Sequence, residues 1–259
     1  MHDQAKSALL YLCIFILFSF GCSKTPFGKV PKFLKIVENS YVSLNIWNPW
    51  LIEFNGSAVI IYDGVAISNR HLLEKAVWTT GTFAKNSTIK IDNIVLIESL
   101  DLAVFDIPCG IGRPMPNREN KRIQNGQTIY ALGTTYDNPV IQGVVMNNSF
   151  SLHHSDVHIP KAKKELATGR SVTNGFLYRG DTSKGFSGGP IIDQSGRLVG
   201  INQGRITKFF SDSDFQRNKS ISNEKIYGFA YHIGDVIAAI KDQTPEILQR
   251  CSISSGITN

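Results

Sequence analysis

The chain has 259 residues, 42% of them hydrophobic and 19% charged, with a formal net charge of +6. That balance excludes a disordered, collagen-like or coiled-coil protein and suffices for one large core or two small ones. The basic residues are scattered, with Lys161, Lys163 and Lys164 as their one local cluster, so the expectation is a solvated loop and no nucleic-acid partner.

In chain order, the first element is an export signal over residues 1–22. Lys6 precedes an apolar run from Ala8 to Phe20, shorter than the ~20 residues of a comfortable membrane span. Gly21-Cys22 closes the run. A small residue and a cysteine at that place resemble a bacterial lipoprotein cleavage site, with Cys22 as the lipidated residue, although Ser19 stands where leucine is usual. Plain cleavage and an uncleaved membrane anchor are the alternatives.

Beyond the signal, short β-branched and aromatic runs recur at 41–46, 57–62, 88–96, 103–107, 128–132, 140–145, 189–192, 197–201 and 226–231. Gly, Asn and Asp turns separate them, which predicts an all-β barrel or sandwich. Residues 56–71 read as a strand, a turn at Asp63-Gly64 and a second strand ending in His71; a short helical turn over 72–76 is the other reading of that end. Asp193-Gln194-Ser195-Gly196 reads as a hairpin turn. The one expected helix starts near Asp235 as N-cap, carries Val236, Ile237, Ala239 and Ile240, and breaks near Pro245. His153, His154 and His158 fall in a polar loop, where no carboxylate or cysteine completes a metal set. Neither a metal nor another cofactor is expected.

The most informative segment is 181–190, where Ser187 has glycine at −2, +1 and +2. Glycine costs chain entropy and buries no side chain, so three around one serine build a poor strand or helix. They suit a backbone whose N–H groups must point at a developing negative charge, here those of Gly185 and Ser187. A serine nucleophile needs a base, and the base needs a carboxylate to fix its tautomer. His71 follows the strand–turn–strand pattern, and Asp101 opens the apolar run Leu102-Ala103-Val104-Phe105. Asp92 and Asp106 are rival acids without that context.

His71, Asp101 and Ser187, in that order, resemble the base, acid and nucleophile of trypsin-like serine proteases of the chymotrypsin fold, nearest to compact bacterial and HtrA-type members. The contexts are Ser68-Asn69-Arg70-His71, with serine where threonine is usual, Asp101-Leu102-Ala103 and Gly185-Phe186-Ser187-Gly188-Gly189. Tyr130-Ala131-Leu132-Gly133 and Gly228-Phe229-Ala230 are weaker matches, and the resemblance runs from about Gly56 to about Ala239. It implies two six-stranded antiparallel β-barrels over 32–112 and 126–233, a linker over 113–125, and a C-terminal helix and tail over 234–259. The segment after Ile240 is too short for a PDZ module.

The implied activity is hydrolysis of protein or peptide bonds through an acyl-enzyme, the alternative being a catalytically silent binding or scaffold protein. Asp181 and Thr182 take the positions of the specificity pocket, and Ile201, Asn202, Gln203 and Gly204 those of the strand that pairs with substrate. An acid six residues before the serine selects Lys or Arg in trypsin-like enzymes, whereas HtrA-type pockets prefer small aliphatic residues. Asn202 stands where glutamyl-specific relatives carry histidine. Phe186 replaces the aspartate that captures a new N-terminus in zymogens, so Lys35-Ile36-Val37-Glu38 is not expected to act as an activation site. Once the signal is set aside, Cys109 and Cys251 remain, and export predicts a disulfide tying the inter-barrel linker to the tail, with two separate thiols as the alternative.

Overall fold

Apolar side chains alternating along a strand demand a sheet with one face on a core. Strand β1 (Tyr41–Trp47) shows that alternation, with Val42, Leu44 and Ile46 fully buried. It pairs with β2 (Glu53–Tyr62), which turns into β3 (Val65–Ser68) at Asp63-Gly64. With β4 (Trp78–Thr82), β5 (Thr88–Lys90), β6 (Val95–Ile97) and β7 (Leu102–Asp106) they form a seven-stranded antiparallel sheet in the order β5-β4-β1-β2-β3-β7-β6. The second half is a closed six-stranded barrel of β8 (Thr128–Leu132), β9 (Val140–His153), β10 (Val172–Arg179), β11 (Pro190–Asp193), β12 (Leu198–Ile206) and β13 (Tyr227–His232), in the order β10-β13-β12-β11-β8-β9. Helices α1 (Arg70–Leu73) and α2 (Ile233–Gln243) complete it, and the architecture is chymotrypsin-like.

This computed structural model describes residues 37–84, 87–97, 99–118, 121–135, 139–153, 172–206, 227–249 and 251. The expected export signal with Cys22, Lys35 and Ile36, the pair His154 and His158, and Lys161, Lys163 and Lys164 lie outside them.

Several elements differ from expectation. The sheet of the first half has seven strands where the resemblance implies six. The single run expected at 88–96 breaks into β5 and β6, because Asn93 takes a positive φ of 53° that no continuing strand allows. β3 stops at Ser68, and His71 belongs to α1 instead of ending a strand. α2 starts at Ile233 with His232 as N-cap, since β13 runs into it without a loop. Asp235 sits in its first turn, where a carboxylate favours the helix dipole, and lies 3.4 Å from Arg122.

One core cluster lies within the first sheet, around Leu44, Ile60, Ala66 and Phe105, and another within the barrel, around Ile129, Phe176 and Val199. A third joins the halves, bringing Val59 and Val104 together with Leu132, Ile192 and Ile201 under Val236, Ile237 and Ile240 of α2. The connecting segment is stitched to both. Met115 N donates to Ile60 O (2.9 Å), then Leu198 N to Pro116 O (2.7 Å) and Arg118 N to Leu198 O (3.0 Å). The two halves are therefore fixed relative to each other, which a site between them requires.

Cys109 and Cys251 lie at disulfide distance, with Cα atoms 5.9 Å apart across a sequence separation of 142. Peptide mapping without reductant is expected to recover these two cysteines linked. Cys251→Ser should then lower the unfolding free energy by about 2–5 kcal/mol in a denaturant titration. Two alkylatable thiols in the native protein would contradict the bond.

Candidate active site

Asp101 immediately precedes β7, whose neighbour β3 delivers the chain to α1, so acid and imidazole arrive on adjacent strands. Their contact is dense. His71 N donates to Asp101 Oδ1 (2.8 Å), and His71 Nδ1 lies 2.5 Å from Asp101 Oδ2. Asn69 Nδ2 and Arg70 N donate to the Asp101 backbone carbonyl at 3.0 and 3.2 Å. Gln203 Nε2 donates to Oδ2 (3.2 Å), and Asp101 N donates to the Tyr231 phenol oxygen (3.2 Å). Desolvation alone would raise the Asp101 pKa. The His71 charge, the His71 ring and amide hydrogen bonds and the Gln203 amide outweigh it and hold the carboxyl below its usual range. An ionised carboxylate only accepts, so Nδ1 carries the hydrogen and Nε2 is left as the basic nitrogen. Burial first, and the Asp101 charge second, push Tyr231 far above an ordinary phenol, so it stays neutral.

The segment 185–189 forms a tight turn gripped from both halves. Gly185 (φ +96°) and Gly188 (φ +79°) are left-handed, and a Cβ on Gly188 would come within 2.2 Å of Ser68 Oγ and 2.9 Å of Asn69 N. The residue after Ser187 thus rests on the start of the helix that carries His71. From the first sheet, Ser57 N donates to Ser187 O (3.0 Å) and Ser57 Oγ to Gly185 O (2.6 Å). Tyr41 Oη bonds Ser57 Oγ (2.7 Å) and Thr134 Oγ1 (2.6 Å), and its pKa is pushed up to about 12 by burial against the pull of those bonds. From the barrel, Gly188 N donates to Asn202 O (2.8 Å) and Asn202 N to Gly189 O (2.9 Å). Phe186 is fully buried, its ring seated on Gly133.

Within the turn, Phe186 N donates to Ser183 O (3.3 Å) and Gly189 N to Phe186 O (3.0 Å). Among the described residues, the N–H groups of Gly185 and Ser187 make no hydrogen bond.

The remaining candidates separate. Asp181, the acid six residues before Ser187, is exposed, and Thr182 beside it is buried. Ile201 and Asn202 are fully buried, and their backbones pair with neighbouring segments on both sides. Gln203 is an extra residue in β12 opposite β13, a bulge that turns its side chain to Asp101. Half-buried Gly204 pairs with Phe229 of β13, and an added Cβ there would meet nothing within 4 Å. Tyr41, Ser57, Thr134, Tyr178 and Tyr231 were not legible as site residues. Each is an ordinary strand or loop residue in sequence, although Thr134 directly follows the Tyr130–Gly133 motif.

A family model described as a trypsin-like peptidase domain matches residues 56–201, more than half of the chain. Over 143 residues the chain is 27% identical to Protease Do-like 1, chloroplastic, of Arabidopsis thaliana, covering 54% of this chain and 30% of that protein. Serine endoprotease DegS of Haemophilus influenzae is 25% identical over 179 residues, 66% of this chain and 48% of its own length. The chain therefore spans less than half of these curated relatives. The Rv3671c protease from M. tuberculosis in its active form superposes with a TM-score of 0.63 at 18% identity, covering 81% of this chain and 82% of that one. An HtrA-type protease solved with a tripeptide gives 0.57 at 20% identity, over 82% of this chain and 63% of that one. At such identities the structural likeness is one of fold.

Because the folded Asp101 carboxyl lies below its unfolded value of about 3.9, the unfolded chain binds the extra proton first as pH falls. The stability Asp101 contributes is complete above that value and lost as pH drops through the folded one. Denaturant titrations between neutral and strongly acidic pH should show a shallower acid loss for Asp101→Asn than for the unsubstituted protein. Equal slopes would remove Asp101 as a source of acid sensitivity.

Proposed function

The chain belongs to the trypsin-like peptidase domain family, and from that premise we propose that it is an exported serine endopeptidase acting on proteins or peptides through Ser187, His71 and Asp101. The observation that carries the reading is the pair of N–H groups, Gly185 and Ser187, with no hydrogen bond in a turn whose other amides over 186–189 are all bonded. Donors held this way, with no reorganisation left to make, are what an oxyanion needs. Naming as serine endoproteases the relatives it resembles supports the same class.

In this reading Ser187 Oγ attacks the scissile carbonyl carbon while His71 Nε2 takes its proton. Asp101 holds the ring through Nδ1–H and stabilises the imidazolium. The carbonyl oxygen becomes an oxyanion between the Gly185 and Ser187 amides. Collapse breaks the C–N bond, and His71 returns the proton to the departing amine. Water then enters with His71 again as base, and the acyl group leaves as a carboxylic acid. The open edge at Gln203–Gly204 is where extended substrate backbone adds to β12. Export rests on the segment 1–22, with Cys22 as the point of maturation, and on a relative of Pseudomonas savastanoi named a probable periplasmic serine endoprotease, 26% identical over 159 residues. Export also supplies the oxidising compartment in which Cys109 and Cys251 pair.

Ser187→Ala should abolish fluorophosphonate labelling and lower kcat/KM on the order of 10⁴-fold or more. Labelling that persists in this variant would take the nucleophile assignment away. Mass spectrometry of the N-terminus from cells is expected to show cleavage between Gly21 and Cys22, with a diacylglyceryl group where Cys22 is lipidated. An intact Met1 on a cytoplasmic protein would refute export.

A further inference from the structure

Asn202 is fully buried on β12, one residue before the bulge at Gln203. Besides its two backbone bonds to Gly188 and Gly189, its side chain Nδ2 donates to Phe186 O (3.0 Å). That carbonyl only accepts, so the amide nitrogen must face it, and the amide oxygen faces the other way. There the Tyr178 phenol lies 2.7 Å from Asn202 Oδ1 and must be the donor. Tyr178 is fully buried, with its ring so close to Gly228 that a Cβ there would come within 2.1 Å of it. Burial pushes its pKa far above an ordinary phenol, so the donor proton is always present.

Phe186 C=O and Ser187 N–H belong to the same planar trans peptide and point in opposite directions. Whatever fixes the one oxygen fixes the direction of the other hydrogen. Gly189 N also reaches Phe186 O (3.0 Å), but it lies in the same turn and moves with it. Asn202 reaches the oxygen from a separate strand.

We propose that Asn202, oriented by Tyr178, is a positioning residue that aims the Ser187 amide at the oxyanion. The proposal rests on Ser187 being the nucleophile. It gives Asn202 a part in aligning the turn, and it gives Tyr178 a role through Asn202.

The test uses the full chain and the rate of fluorophosphonate labelling, separated into kinact and KI. Asn202→Leu removes both amide bonds at similar volume, and Tyr178→Phe removes only the hydroxyl. A misaimed oxyanion donor is felt in the transition state and not in ground-state binding, so kinact should fall about 10- to 100-fold in Asn202→Leu with KI nearly unchanged. Tyr178→Phe should lose less in the same direction, and the double variant should be no slower than Asn202→Leu alone. Wild-type kinact in both folded variants, or losses that simply multiply, would overturn the proposal. Should Asn202→Leu fail to fold, Tyr178→Phe decides by itself: a lower kinact at constant KI supports the relay, and an unchanged kinact ends it. A wild type that the probe does not label ends the nucleophile reading and this one with it, whereas labelled wild type with unaffected variants ends only this one.

Discussion

The site depends on a turn that has almost nothing with which to hold itself. Residues 185–189 supply one buried side chain, Phe186, and three glycines that impose no shape of their own. Its conformation comes from outside, through carbonyls pinned by Ser57 on one side and Asn202 on the other. These two residues belong to different sheets. The geometry at Ser187 is therefore only as good as the packing of the two halves, and the joint core beneath α2 and the stitched segment around Met115 and Leu198 gain their functional meaning from that dependence.

Charge follows a similar logic. Asp101 and Asp193 are both acids held by several donors, and only one is suited to chemistry. Asp193 is buried, accepts the Ser195 and Arg197 amides, and lies 3.3 Å from both Arg118 and Arg197. Guanidinium groups do not give up a proton, so that cluster locks the hairpin and ties it to the connecting segment through Arg118. Asp101 faces an imidazole, whose two ring nitrogens can hold the carboxylate on one side and leave the other free to act. Gln203 and the His71 amide add two further donors to its carboxylate. The difference between a structural acid and a candidate catalytic one lies in the partner.

What the sequence made legible was what local chemistry dictates. The strand–turn–strand leading to His71, the acid opening an apolar run and the glycine-flanked serine could be read because each forces an unusual residue into a short window. β4 and β10 escaped because Trp78-Thr79-Thr80-Gly81-Thr82 and Val172–Arg179 carry too few apolar residues in alternation; their order comes from pairing with β1 and β5, and with β9 and β13. β9 runs on past Val145 through asparagines and serines for the same reason. The Tyr41–Ser57–Thr134 hydroxyls escaped because their partners lie 16 to 93 residues apart, a distance no local pattern encodes.

β12 shows most plainly how one strand serves both ends of the site. In a regular strand, side chains alternate between two faces, and a slip of one residue exchanges the faces everywhere. The bulge opposite β13 breaks that alternation between Asn202 and Gly204. Asn202 keeps its inward direction and reaches the carbonyl before Ser187, Gln203 is turned out to Asp101, and Gly204 resumes the ladder with Phe229. Asp101 and the turn around Ser187 are thereby contacted by consecutive residues of one element. Any change that removed the bulge would shift Gln203 and Gly204 together, loosening Asp101 and moving the open edge in the same event. The extra residue costs β12 a paired position, and it sets the spacing between the contact to Asp101 and the contact to the turn that holds Ser187.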